Sequence, residues 1–174
     1  MEIRLARKEE LSELMAFYND IIDQQAHDDY SPRWTRDIYP ALSDLQRFLD
    51  LNCLYLVKDN DQIIAAASLA RGEEEMYRQA DWQKKVSDDE IAMLHLFAVK
   101  KDYRRTGLSD RFLEYLRKEA GNYARVIHLD VMLGNVPAAR LYLKHGFTYC
   151  QTMEVFYEDT GRVECDLYEC DLEK

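Results

Sequence analysis

Proline and glycine are both scarce in this chain, with 3 and 6 in 174 residues. No low-complexity tract, linker or internal repeat is present. The four cysteines (Cys53, Cys150, Cys165 and Cys170) form no C-x-x-C pair, and no histidine stands at zinc-finger spacing from them. They read as free thiols of a reducing compartment, and no metal site is expected. No apolar run approaches the ~20 residues of a membrane span, and Met1 to Arg7 alternates apolar and polar residues where a signal peptide would be apolar. The expectation is a soluble, cytoplasmic protein without a membrane partner.

Positive charge is also in short supply. Lysine and arginine number 23 against 33 aspartates and glutamates, for a net charge of -10. Nucleic-acid binding draws on clustered cations, so nucleic acid is not an expected partner. Such a field either concentrates small cations, protonated amines among them, or only keeps the chain in solution. Two phosphate-binding signatures are missing as well: there is no G-x-x-x-x-G-K-[ST] and no G-x-G-x-x-G.

What is present fits one domain over residues 1–174, long enough to bury about 70% of the unfolded chain's surface. Glu2 to Ala6 reads as a strand. Leu11, Leu14, Met15, Tyr18, Ile21 and Ile22 recur at helical spacing over a helix from Lys8 to Gln25. A polar, aromatic loop follows from His27 to Tyr39, and Pro40 suits the first turn of a second helix. Cys53–Lys58 and Gln62–Ala70 flank Asp59-Asn60-Asp61 as a hairpin. Arg71 to Asp89 is charged and lacks periodicity. Ile91 to Val99 is a continuous apolar run, the pattern of a central strand buried on both faces. Leu108, Phe112, Leu113, Leu116 and Ala120 mark a helix closed by Gly121, and Val126 to Met132 reads as another buried strand. A helix begins near Asn135 and ends at Lys144, His145 and Gly146. Two last strands, near Thr148–Tyr157 and Val163–Leu172, are joined by a turn at Glu158-Asp159-Thr160-Gly161.

Ile91 to Met132 is thus a strand–loop–helix–strand unit, which makes its two strands parallel with a right-handed crossover. The loop lies at the carboxyl end of a strand and the amino end of a helix, where free N–H groups and the helix dipole favour an anion. Lys100, Lys101, Arg104 and Arg105 put four cations there, and Gly107 leaves room for backbone to approach phosphate oxygens. The spacing alone admits a phosphate site and an ordinary solvated turn alike.

Leu94-His95-Leu96-Phe97-Ala98-Val99, followed by Tyr103-Arg104-Arg105-Thr106-Gly107-Leu108-Ser109, resembles the acyl-CoA motif of GNAT-type N-acetyltransferases. That motif is Gln/Arg-x-x-Gly-x-Gly/Ala after a strand ending in valine. Asn135 to Phe147 resembles the family's second signature, N-x-x-A-x-x-L-Y-x-x-x-G-F. The order of elements matches too, so the resemblance covers nearly the whole chain. Ser109 departs from it, standing where the family prefers glycine or alanine.

The resemblance implies an α/β fold: a mixed central sheet of about seven strands, helices on both faces and splayed central parallel strands. It implies acetyl-CoA, or a close acyl-CoA, as co-substrate. The backbone of Arg105, Thr106, Gly107, Leu108 and Ser109 would cradle the pyrophosphate, with Arg104 heading the motif. Phe97, Ala98 and Val99 match the strand that pairs with the pantetheine arm. Tyr142 matches the tyrosine assigned as acid for the departing thiolate; a helix tyrosine packed in the core is its other reading. Asn135 is either a cofactor contact or the helix cap.

An attacking amine must first lose a proton, so a general base is expected. Glu90 matches a region where some members carry one, and His95 and Asp130 are the other candidates. Tyr30, Trp34, Tyr77 and Trp82 lie in the variable segments, where they line a groove for a small-molecule or peptide amine or else pin their loops. Dimers are frequent in the family, which makes a homodimer an expectation. The competing reading of the whole is a non-catalytic acyl-CoA-binding sensor.

Overall fold

The computed structural model describes residues 1–25, 27–157 and 160–173. In chain order the elements are β1 (Glu2–Leu5), α1 (Leu11–Gln25), α2 (Leu42–Asp50), β2 (Leu54–Asp59), β3 (Gln62–Arg71), β4 (Ile91–Val99), α3 (Leu108–Ala120), β5 (Val126–Met132), α4 (Val136–Lys144), β6 (Thr148–Tyr157) and β7 (Gly161–Asp171). All seven strands join one mixed sheet in the order β1-β2-β3-β4-β5-β7-β6. Only β4 and β5 run parallel. Glu158 and Asp159 of the expected last turn lie outside the described residues.

Because successive strand residues point to opposite faces, the central strands feed two cores at once. Leu54 and Leu56 pack with Leu14, Phe17 and Tyr18 of α1 and Leu45 and Phe48 of α2. Tyr55 and Val57 pack on the other side with Leu108, Phe112 and Leu116 of α3 and Tyr142 of α4. Helices therefore cover both faces, as the resemblance implied. A third cluster joins Tyr77 and the half-buried Trp82 to Met93, Cys165 and Leu167. It fastens the irregular stretch between β3 and β4 onto the sheet.

Two departures from regularity shape the centre. Ser68 pairs with His95 and Ala66 with Ala98, so β4 carries one more residue than β3 across this interval. The extra residue bulges at Leu96, whose φ of 57° is in the left-handed region. The bulge reverses the side-chain alternation: Ala92 and Leu94 face α3, whereas Leu96 and Ala98 face α1 and α2. The Tyr18 hydroxyl donates a buried hydrogen bond of 2.9 Å to the Leu96 carbonyl. Beyond the bulge the parallel pairing has already ended. Ile91, Ala92 and Met93 pair with Val126, Ile127 and His128, after which β5 pairs only with β7. The strands splay and leave one edge of β4 without a sheet partner.

Two details differ from expectation. Pro40 follows a cis peptide bond and precedes Ala41, the N-cap of α2, so it lies outside the first turn. Gly121 ends α3 in right-handed conformation (φ -60°), so it is not the left-handed cap that a terminal glycine suggests.

Candidate active site

The turn between β4 and α3 has the conformation an anion cradle needs. Arg105 and Gly107 both hold positive φ, 63° and 80°. Gly107 is the N-cap of α3 and has no side chain to cap it, while a Cβ added there would meet nothing within 4 Å. Arg111 donates to the Gly107 carbonyl, so the amides of Leu108, Ser109 and Asp110 precede the first helical hydrogen bond and have no acceptor within the helix. The Thr106 hydroxyl fastens the turn by donating to the Tyr103 carbonyl at 2.7 Å.

The four cations are not all free. Arg104 pairs with Asp28 at 2.6 Å and donates to the Val99 carbonyl, and Lys100 pairs with Asp20 at 3.3 Å. Arg104 thus ties the turn to the loop after α1. Arg105 is exposed and pairs with no carboxylate of the described residues. Asp110, in the first turn of α3, is held by Lys144 at 2.6 Å and His145 at 2.8 Å. Hydrogen bonds from Lys144 and then His145 hold its carboxyl below the usual range.

A cleft of about 300 Å³ opens between the splayed ends of β4 and β5. Phe97, Asn135 and Tyr142 line it on the α3 and α4 side, and Trp34 and Tyr77 on the other. Tyr142 is 7% exposed, with its ring 6.2 Å from Phe97 and 5.4 Å from Phe147. Its hydroxyl hydrogen-bonds to no described residue. Burial, followed by the charge of Asp130, pushes its pKa well above the ordinary phenol value. Tyr142 therefore stays protonated at neutral pH and keeps a proton to give. Asn135 occupies the N-cap position of α4, but its side chain makes no capping bond and lines the cleft instead.

Asp130 of β5 accepts a hydrogen bond from Tyr157 at 3.0 Å, and the Tyr157 and Tyr77 hydroxyls meet at 2.5 Å. Burial raises both phenols, with Asp130 adding to the effect. His95, before the bulge, places Nε2 3.3 Å from Glu74 Oε1, at an angle too poor for a full hydrogen bond. Contact with this imidazole, opposed by burial, holds the Glu74 carboxyl below its usual range.

Of the expected cofactor residues, Ala98, Val99 and the turn from Arg104 to Ser109 do not line the cleft, and three expected catalytic or acceptor residues are not brought to it either. Glu90 ends a short 3-10 turn, where it accepts from the Ser87 amide and hydroxyl and pairs with Arg125 at 3.5 Å. It sits at the amino end of β4, whereas the cleft opens past the middle of that strand. Trp82 stacks on His128 with ring centroids 3.7 Å apart and donates to the Tyr77 carbonyl, so it pins its segment. Tyr30 is 47% exposed and does not line the cleft. In the other direction, Arg47, Phe48, Glu74 and Tyr157 line the cleft without having been singled out. Glu74 lies in the Glu73-Glu74-Glu75 run, a signal of some kind; Arg47 gave none, being one charged position on an amphipathic helix.

Residues 18–147 match the model of the acetyltransferase (GNAT) family. The chain belongs to that family. No curated protein matches it in sequence. Solved structures share its fold at low identity. A GNAT-family acetyltransferase from Streptococcus agalactiae is 22% identical with a TM-score of 0.80, over 99% of this chain and 96% of the other. A ribosomal-protein-alanine N-acetyltransferase from Brucella melitensis is 19% identical with a TM-score of 0.72, over 98% and 99%. A Salmonella typhimurium protein solved with its cofactor acetyl-CoA is 18% identical with a TM-score of 0.71, over 100% and 95%.

Proposed function

We propose that the protein is an N-acetyltransferase that moves an acetyl group from acetyl-CoA to a primary amine of a small molecule or peptide, by direct attack in a ternary complex. One observation carries the reading. β4 lines the cleft with Phe97, beside a buried tyrosine whose hydroxyl has no partner among the described residues, and leads into a turn whose first helical amides are unclaimed. The open space at Gly107 and the unpaired edge of β4 fit a phosphate-bearing, amide-containing arm. Arg105 to Ser109 would hold the pyrophosphate, and the backbone of Phe97 to Val99 and the side chain of Asn135 the arm beyond it. The acetyl-CoA of the Salmonella neighbour supports this assignment.

The thioester supplies an activated acetyl group; the protein's part is orientation and proton handling. An ammonium has no lone pair, so a base must act before attack. The Glu74–His95 pair is the base we assign, because both side chains line the cleft. The pair takes the ammonium proton before attack and releases it to solvent. As the N–C bond forms and the C–S bond breaks, the nitrogen's surplus proton returns through water to Tyr142 to replace the one given to sulfur. Tyr142 Oη gives its proton to the departing sulfur.

A thermal shift with acetyl-CoA is the first test, since ligand binding to the native state raises stability. Thiol release over an amine panel is the second. No stabilisation removes the reading. Stabilisation without turnover of any amine would leave a binding module.

A further inference from the structure

The acceptor end of the cleft carries charge of both signs. Glu74 and Asp130 supply carboxylates, and Arg47 of α2 supplies a guanidinium. The two carboxylates are engaged, Glu74 beside His95 and Asp130 with Tyr157. Arg47 differs. Its guanidinium carbon lies 4.6 Å from the Phe48 ring centroid, and no carboxylate of the described residues comes within ion-pairing distance. Resting on an aromatic face limits the positions of the side chain while leaving its planar fork of N–H donors unclaimed. A fork of this kind matches a carboxylate in two parallel hydrogen bonds, which a point charge does not.

The neighbouring wall is apolar. Phe48 stacks against His95, and Trp34 is held edge-on by the buried Tyr18 with centroids 5.8 Å apart. The cleft's volume of about 300 Å³ is at the lower end for ligand sites, and the end of the coenzyme must share it. A diamine would put a second cation beside Arg47, whose like charge opposes it. A plain alkylamine would leave the guanidinium unmatched.

We propose that the acceptor is a small amine bearing its own carboxylate, of the amino-acid class with an apolar side chain, and that Arg47 receives that carboxylate. This rests on the acetyltransferase reading and narrows its substrate. Arg47 then sets specificity and takes no part in proton transfer.

The experiment compares matched acceptors by thiol release: phenylalanine, leucine and methionine against their carboxamides and against phenethylamine and putrescine. The carboxylates are expected to show the lower KM. Replacing Arg47 with Gln should raise their KM about 10- to 100-fold, the loss of a charge-assisted pair, while leaving the carboxamides and acetyl-CoA affinity unchanged. Arg47→Lys, which keeps charge and loses the fork, should fall between. Calorimetry of the same amino acids with the wild-type and Arg47→Gln proteins gives a readout independent of turnover, and binding by the wild type alone is expected.

Equal or better turnover of amines lacking a carboxylate would overturn the proposal. So would an Arg47→Gln effect of equal size on both series, or wild-type protein that binds no amino acid. These outcomes are separate from loss of the parent reading, which would show as absence of acetyl-CoA stabilisation.

Discussion

Tyr18 and Leu96 lie 78 positions apart and meet through a buried hydrogen bond of 2.9 Å from hydroxyl to carbonyl. Leu96 is the left-handed residue of the bulge, and the bond anchors it to α1. Tyr18→Phe keeps the ring packing and strands the carbonyl. A loss of about 1–3 kcal/mol is expected from chemical denaturation, with weaker acetyl-CoA binding because the edge of β4 is no longer fixed. Unchanged stability would show that the bulge does not need this tether.

Gly107→Val places a β-branched side chain at φ 80°. The backbone strain is worth roughly 1–2 kcal/mol, and the new methyls fill the space facing the free amides. Calorimetry should detect no acetyl-CoA binding by a protein that still folds. Full retention of affinity would show that the turn is not the cradle.

Tyr142→Phe removes a hydroxyl and leaves the contacts to Phe97 and Phe147. Turnover should fall on the order of 10²-fold with acetyl-CoA affinity nearly unchanged. Equal turnover by the variant would deny the acid role.

Glu90→Gln addresses the residue whose position in sequence suggested a base. Its carboxylate is spent on Ser87 and Arg125, so turnover and its pH profile should stay as in the wild type, with a small drop in thermal midpoint. A steep fall in turnover at unchanged stability would return it to the mechanism.

His128 is 1% exposed, with Glu73 at 2.6 Å from Nδ1 and Glu169 at 3.1 Å from Nε2. Burial pushes its pKa down, but hydrogen bonds to Glu169 and Glu73 outweigh it and the net shift is upward. A raised folded pKa means the contribution is fully present below the unfolded value of about 6.5 and is lost as pH rises through the folded one. The stability gap between wild type and His128→Gln should therefore be widest below pH ~6 and narrow on the alkaline side. A gap independent of pH would mean that folding leaves the His128 pKa unshifted.

The parts legible in the sequence are those written locally. The apolar run at Ile91–Val99, the helical spacing from Leu108 to Ala120 and the Asn135–Phe147 signature each lie within one or two elements, and the structure has them within a residue or two. The Leu96 bulge left no mark, since a leucine in left-handed conformation is held there by α1 rather than by its own preference. Arg47, Glu74 and His95 come from a helix, an irregular segment and a strand, and only tertiary packing brings them together. Trp82 shows the limit from the other side: the sequence left it to line a groove or to pin its loop, and only the packing of its ring on His128 decides for the second.

Asp110 gives the far end of α4 a say in a site it never touches. Lys144 neutralises, and His145 hydrogen-bonds, a carboxylate directly beside the proposed pyrophosphate cradle. Substituting Lys144 would release negative charge at the mouth of an anion site, and the helix's own field would have to overcome it. A surface change of that kind would weaken coenzyme binding in a salt-dependent way, as a defect in long-range electrostatics with every contact residue still in place.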